Sequence, residues 1–350
     1  MARPLYKMEL DLFLDRPATD GKTSGLRWPI GYEHVYRQVT QTYGQLEYCP
    51  TGSSSSFGTH LGLDIDGSEE GTPVYAVLPG VVTHVRTDSL DAAGVVIATE
   101  STGGVVDVGD FETPLSLKYL HLHPRTISVK KDETVEAGHM LGHVVYEYDV
   151  QPPHLHLSVL KNAPSGGTGL PADYLYGAGN PLRLLSPQAI ADGKPATIQA
   201  ELFVCSNDES GGVTLKNLYE IGEGEVDIVV GLRDKDGLSD VIWHAPYEVS
   251  LALTPMDGGR SRVMSIQFHD KAYKPANRVY LLSGDETSVG CWQEGRYRFN
   301  FVMTNDSGAV GTEPQTAHSW DAREGDYVVR FAMRDVAGNT YISSAEMIHV

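Results

Sequence analysis

Between Trp28 and Leu185 the apolar residues never settle into the sustained period of a long helix; short β-branched and aromatic runs are instead cut by glycine or proline every few residues. Both punctuating residues are costly inside a helix, so a chain written this way has to assemble its core from short strands. Strands are predicted over residues 94–99, 115–123, 140–148 and 154–160. The run 73–85 divides at Pro79-Gly80, a turn-prone pair, into a hairpin or one sharply bent strand. Residues 30–43 read as a short helix or an extended lead-in. The 37 glycines and 19 prolines follow no collagen-like repeat, and a hydrophobic content of 41% is that of a globular protein. The predicted class is mainly β, with an antiparallel sheet.

A length of 350 residues, at roughly 150 per domain, implies about two domains. Residues 186–200 carry two prolines and little apolar pattern, as a linker does, and the boundary is set near residue 193. Beyond it, alternating stretches at 226–232, 247–253, 297–303 and 327–333 predict an Ig-like β-sandwich; Tyr327, Val329, Phe331 and Met333 would share one face. The division is therefore 1–27, an N-terminal extension; 28–192, the first domain; and 193–350, the sandwich. A formal net charge of −19 disfavours nucleic acid as a partner. No stretch has the roughly 20 apolar residues of a membrane helix, and the opening residues lack the apolar core of a secretion signal. Of the three cysteines, Cys205 and Cys291 are the pair expected to bridge if any does, leaving Cys49 over.

Eight of the 13 histidines fall between His60 and His156. Three patterns contain five of them: His60-Leu-Gly-Leu-Asp64, Tyr119-Leu-His121-Leu-His123 and Pro153-His154-Leu-His156-Leu. Taken singly, each reads as easily as a wet strand face or a glycine-rich loop; together they are informative. On a strand, His154 and His156 point the same way, roughly 6.6 Å apart, while Leu155 and Leu157 enter the core. One imidazole can then ligate a metal and the other stand beside it. His121 and His123 repeat the logic on a strand stopped by Pro124. An ideal strand would hold His60 and Asp64 roughly 13 Å apart, so the chain must bend between them, and Gly62 supplies the freedom. Asp66 is the competing carboxylate.

Two histidines and one carboxylate from distant segments form a catalytic zinc set with a coordination position left for water. The net positive centre would draw that water's pKa toward neutrality, which points to hydrolysis. Nonhaem iron uses the same ligand types, so the residues alone leave both ions open.

His60-Leu-Gly-Leu-Asp64, Gly71-Thr-Pro-Val-Tyr-Ala76, Tyr119-Leu-His121-Leu, Val135-Glu-Ala-Gly138-His-Met-Leu-Gly142 and Pro153-His154-Leu-His156-Leu stand in the order found in the lysostaphin or LytM-type zinc peptidases, which residues 28–159 resemble. The resemblance implies a β-sheet groove with one Zn2+ held by His60, Asp64 and His156, and with His121 and His154 as the unliganded catalytic pair. It implies a zinc metalloendopeptidase that attacks peptide bonds of bacterial peptidoglycan with a zinc-bound water. His154 is then expected to handle the water proton and His121 the oxyanion, or the reverse. The peptide stems or cross-bridges of the wall would be the partner, in an extracytoplasmic location, periplasmic or secreted, with the leader absent. The alternative is a noncatalytic cell-wall-binding or partner-activating module that kept the fold. This chain departs from the family at residues 146–152, which lack the usual glycines and carry Tyr146 and Tyr148. It departs also at residues 86–118, an acidic stretch read as a lid or a solvated insertion. An acidic groove would favour amine-bearing stems. The sandwich is assigned a targeting, spacing or interaction role.

Overall fold

The computed structural model describes residues 26–31, 39–51, 54–67, 71–88, 93–98, 115–145, 153–161, 179–185, 199–206, 215–217, 224–235, 243–244, 246–268, 299–305, 320–334, 340–343 and 345–350. The N-terminal extension, the linker with its boundary near 193, Tyr146, Tyr148, Cys291 and most of the acidic stretch after Asp88 lie outside the described residues. The described residues are mainly antiparallel β.

In the first part the strands are β1 (Val39–Gln41), β2 (Leu46–Thr51), β3 (Ser54–Thr59), β4 (Leu63–Asp66), β5 (Pro73–Tyr75), β6 (Gly80–Arg86), β7 (Gly94–Ala98), β8 (Leu115–Leu120), β9 (Thr134–Val135), β10 (Met140–His143) and β11 (His154–Lys161). Seven of them form one sheet in the order β1-β4-β11-β8-β7-β6-β9, while β5 pairs with β10 and β2 with β3. Pro79-Gly80 makes neither a hairpin nor one bent strand. The chain leaves β5 in the small sheet and enters β6 in the large one, because β6 finds its partners in β7 and β9. Within 30–43 the described end is a strand, β1, rather than a helix.

The period-2 pattern decides which face of the large sheet is buried. Leu63 and Ile65 of β4, Leu117 and Tyr119 of β8, and Leu155, Leu157 and Val159 of β11 are at most 1% exposed and share one core with Trp28. Each such aliphatic side chain contributes about 1.5–3 kcal/mol on burial. The Tyr119 hydroxyl accepts from the Val77 amide at 2.9 Å, so the phenol enters the core without an orphaned oxygen. The alternate residues of the same strands necessarily face the other way. Directly opposed residues share a face: Asp64 lies across from His156, Asp66 from His154, and Lys118 from Ser158.

In the second part, β12 (Gln199–Ser206), β13 (Leu215–Asn217), β14 (Gly224–Lys235), β15 (Trp243–His244), β18 (Phe299–Val302) and β19 (Trp320–Ala322) form one sheet around β14. β16 (Glu248–Pro255), β17 (Arg262–Gln267), β20 (Asp326–Arg334), β21 (Thr340–Ile342) and β22 (Glu346–His349) form another. A second core draws on both sheets: Ile228, Val230, Phe299 and Phe301 from the first meet Leu251, Ile266, Val329, Phe331 and Met333 from the second. Tyr327 packs against it, so the face predicted for residues 327–333 is the one observed. Trp320 belongs to this core. One buried ion pair, Arg334 Nη1 to Glu248 Oε2 at 3.2 Å, ties β20 to β16. The two cores also exchange side chains: Tyr43 is buried in the second and Tyr247 in the first.

Candidate metal centre

β11 presents His154 and His156 on the face opposite Leu155 and Leu157, as the alternation predicts. Across the ladder, β4 delivers Asp64 beside His156, and the bend at Leu61-Gly62 brings His60 back over Asp64. Gly62 is required there, but not through its backbone freedom. A Cβ on it would lie 2.6 Å from Cε1 and Nε2 of His156 and 2.8 Å from the Leu157 carbonyl oxygen. The residue is a glycine because the His156 ring needs the space.

Three ligand-capable atoms converge as a result. His60 Nε2 is 3.0 Å from His156 Nδ1 and 3.2 Å from Asp64 Oδ1, and His156 Nδ1 is 2.8 Å from the same oxygen. Among the described residues, His60, Asp64 and His156 are the group able to hold a metal ion; Asp66, opposite His154, is not in it. Four donors around a tetrahedral ion with bonds of about 2.0–2.1 Å stand about 3.3 Å apart, close to the observed triangle.

The outer contacts set the rings for that task. His60 Nδ1 lies 3.1 Å from the Thr42 carbonyl, which can only accept, so this nitrogen carries the hydrogen and Nε2 turns a lone pair inward. His156 Nε2 lies 2.8 Å from Ser158 Oγ, which can accept its hydrogen when Nδ1 serves as the ligand. Burial pushes the His156 pKa down to about 4 against the pull of Asp64, with His60 and Lys118 adding to the depression. Burial alone would raise Asp64, but His60, His154 and His156 outweigh it and hold the carboxyl well below its usual 3.8. Near neutral pH this leaves a carboxylate at Asp64 and a neutral imidazole at His156, with His60 Nε2 facing both. A shared cation is what such a set is built to receive.

Residues 58–166 match peptidase family M23. Over this segment the chain is similar to an M23 peptidase domain. No curated protein sequence matches the chain. Similar solved structures include the catalytic domain of the antimicrobial peptidase lysostaphin from Staphylococcus simulans, at 20% identity, covering 42% of this chain and 90% of that one with a TM-score of 0.29. A zinc-containing peptidase from Vibrio cholerae is 24% identical, over 40% of this chain and 36% of that one, TM-score 0.28. The catalytic domain of the prophage-encoded M23 protein EnpA from Enterococcus faecalis is 23% identical, over 37% and 85%, TM-score 0.26.

His121 and His154, the other two histidines of the pattern, stand beside the trio. His121 and His154 have ring centroids 4.5 Å apart, and His121 lies 6.0 Å from the His156 ring. His154 Nε2 is 3.9 Å from Asp64 Oδ2. His121 is not on a strand, as the pattern predicted; β8 ends at Leu120, and His121 takes a left-handed conformation with φ 63°. A non-glycine residue there costs on the order of 1–3 kcal/mol, a strain that recurs at functional sites. That turn also separates His121 from His123, whose amide donates to the His143 carbonyl instead. His121 Nδ1 is buried and has no hydrogen-bond partner among the described residues. Burial, reinforced by His154 and His156 against Asp64, pushes its pKa down to about 3.

Thr42 and Ser158 escaped the sequence reading. Ser158 was findable, since it lies two residues beyond His156 on the same strand face. Thr42 was not, because it reaches His60 only through the fold. The expected acidity of the groove falls largely outside the described residues; Asp88 is exposed and paired with Arg86 at 2.8 Å. On the ligand face of the sheet stands a cation instead, Lys118, across from Ser158.

Proposed function

We propose that the chain is a zinc-dependent metalloendopeptidase that hydrolyses peptide bonds in bacterial peptidoglycan. What supports it above all is the triangle of His60 Nε2, Asp64 Oδ1 and His156 Nδ1, with the His60 ring turned ligand-side inward by Thr42. His60, Asp64 and His156 would hold the ion. Zinc bound there would supply Lewis acidity and lower the pKa of a water toward 7.

The two remaining imidazoles divide the proton work. His121, neutral far below physiological pH, is a poor proton acceptor but keeps one N–H to donate to the carbonyl oxygen as charge develops on it. His154, within reach of both His121 and Asp64, takes the proton of the attacking water and returns it to the departing amine. The left-handed turn at His121 sets its ring beside that of His154, where both can face the same substrate bond.

A wall substrate places the protein outside the cytoplasmic membrane, periplasmic or secreted; among the described residues no helix is long and apolar enough to cross a membrane. The division into 28–192 and 193–350 is proposed with it, the second part being a sandwich with a targeting or interaction role. The deciding experiment joins metal analysis to mass spectrometry of products from purified peptidoglycan. One zinc per chain and newly cut peptide bonds are expected, both lost in His60→Ala. Wall binding without cleavage, unchanged by that substitution, would instead identify a noncatalytic module.

A further inference from the structure

The metal ligand His60 is held by a turn that the second core clamps. Residues Thr42–Gln45 close a turn in which the Gln45 amide donates to the Thr42 carbonyl at 3.2 Å and Gly44 has φ 82°, the conformation a type II turn demands at its third position. The Gln45 side chain reinforces it, its Oε1 accepting from the Thr42 amide at 3.3 Å and the Thr42 hydroxyl at 3.1 Å. The turn grips His60 three times. Gly44 N donates to His60 O at 2.8 Å, His60 N donates to Gln45 O at 2.7 Å, and His60 Nδ1 donates to Thr42 O at 3.1 Å.

Both central residues of the turn are engaged by the far side. Tyr43 is buried in the second core. Gly44 lies flat against Phe268: a Cβ on it would fall 2.0 Å from Cδ1 and 2.5 Å from Cγ of that ring. Phe268 cannot retreat easily. It is fully buried, packs 6.2 Å from Phe301, donates its amide to Tyr247 O at 3.1 Å, and accepts at its carbonyl from Asn180 Nδ2 at 2.7 Å. Asn180 belongs to the first part of the chain, where its Oδ1 also caps the 3-10 turn Pro181–Arg183. The backbone of Phe268 is therefore held from both sides of the molecule where its ring meets Gly44.

We propose that Phe268 is a positioning residue for the metal ligand His60, pressing the Thr42–Gln45 turn into the shape that aims Nε2 at Asp64 and His156. The proposal rests on the metal-centre reading above and assigns the second core a part in that centre beyond targeting. Loss of an outer partner of a metal-ligating histidine weakens metal affinity about 10–100-fold, and the turn should transmit an effect of that order.

The test compares Phe268→Ala with Phe331→Ala in the full chain. Phe331 lies in the same core and packs against Tyr341 at 5.9 Å, so its removal destabilises that core without being aimed at the turn. Zinc dissociation constants from chelator competition and the visible spectrum of the cobalt-substituted protein are measured alongside melting temperatures. Phe268→Ala should bind zinc at least about tenfold more weakly, with an altered cobalt spectrum, while Phe331→Ala melts earlier yet keeps wild-type affinity. Phe268→Leu, which retains atoms equivalent to Cγ and Cδ1, should recover most of the loss; Phe268→Val, which lacks Cδ1, serves if the alanine variant does not fold and should bind zinc more weakly than Phe268→Leu. Equal zinc affinities and spectra in Phe268→Ala, or in Phe268→Val where that is used, and Phe331→Ala would overturn the proposal. Nitrogen-15 NMR of the metal-free proteins provides a readout independent of zinc: His60 should carry its hydrogen on Nδ1 in wild type and Phe331→Ala, and lose that preference in Phe268→Ala. A wild type that shows this tautomer but binds no zinc would sink the metal-centre reading alone; an unchanged tautomer in every variant would sink the role of Phe268.

Discussion

Adding a single methyl group at Gly62 should disable the metal centre while leaving every ligand in the sequence. Gly62 does not occupy the left-handed region, so alanine is acceptable to the backbone there and the effect is purely one of space. The new Cβ would sit 2.6 Å from the His156 ring and 2.8 Å from Leu157 O, where ordinary contact begins at 3.4 Å. The strand β11 carries Leu157 in the core and cannot move, so the imidazole has to give way by about 0.8 Å, several times the roughly 0.2 Å latitude of a metal–ligand distance. Overpacking of this kind costs about 1–3 kcal/mol of stability. The larger consequence falls on the metal: Gly62→Ala should bind zinc about 10–100-fold more weakly or worse, with cleavage of purified peptidoglycan falling in step at limiting zinc. Chelator competition, thermal melting and product analysis measure the three effects. A Gly62→Ala protein with wild-type zinc affinity and turnover would show that the His156 ring does not depend on this contact, and the argument from close approach would be wrong.

His121→Ala and His154→Ala should each retain zinc near wild-type affinity and lose about 10²–10⁴-fold in kcat, as expected for groups that handle charge and protons rather than the ion; zinc loss parallel to activity would make them ligands instead. The metal-free protein should lose stability as pH falls from 6.5. Unfolded His121 and His156 take up protons near 6.5, whereas the folded protein resists until about 3 and about 4, so the unfolded state binds more protons throughout that window. Asp64, held below its usual value, acts in the same direction at the acid end. At about 1.4 kcal/mol per pKa unit, His156 alone accounts for about 3 kcal/mol between pH 6.5 and 4. Urea midpoints of chelator-treated protein at pH 7.5 and 4.5 check this, and a flat profile would refute it.

What could be read directly from the chain was whatever depends on local period and residue chemistry. The alternation His154-Leu155-His156-Leu157 dictates a strand with two imidazoles on one face and two leucines in a core, and the structure has that arrangement. The need for a bend between His60 and Asp64 followed from the length of a strand, and the same period would have exposed Ser158. Other features depend on parts of the chain that meet only after folding. Gly62 is explained by a ring 94 positions away, and the His60 tautomer by a carbonyl at Thr42 that no periodicity marks. The left-handed backbone at His121, the split of residues 73–85 between two sheets and the contact of Phe268 with Gly44 belong to the same class. Side-chain period is a property of successive residues, so the sequence alone can state which face a histidine takes. Metal geometry is a matter of tenths of an ångström between remote segments, and only tertiary packing sets distances on that scale.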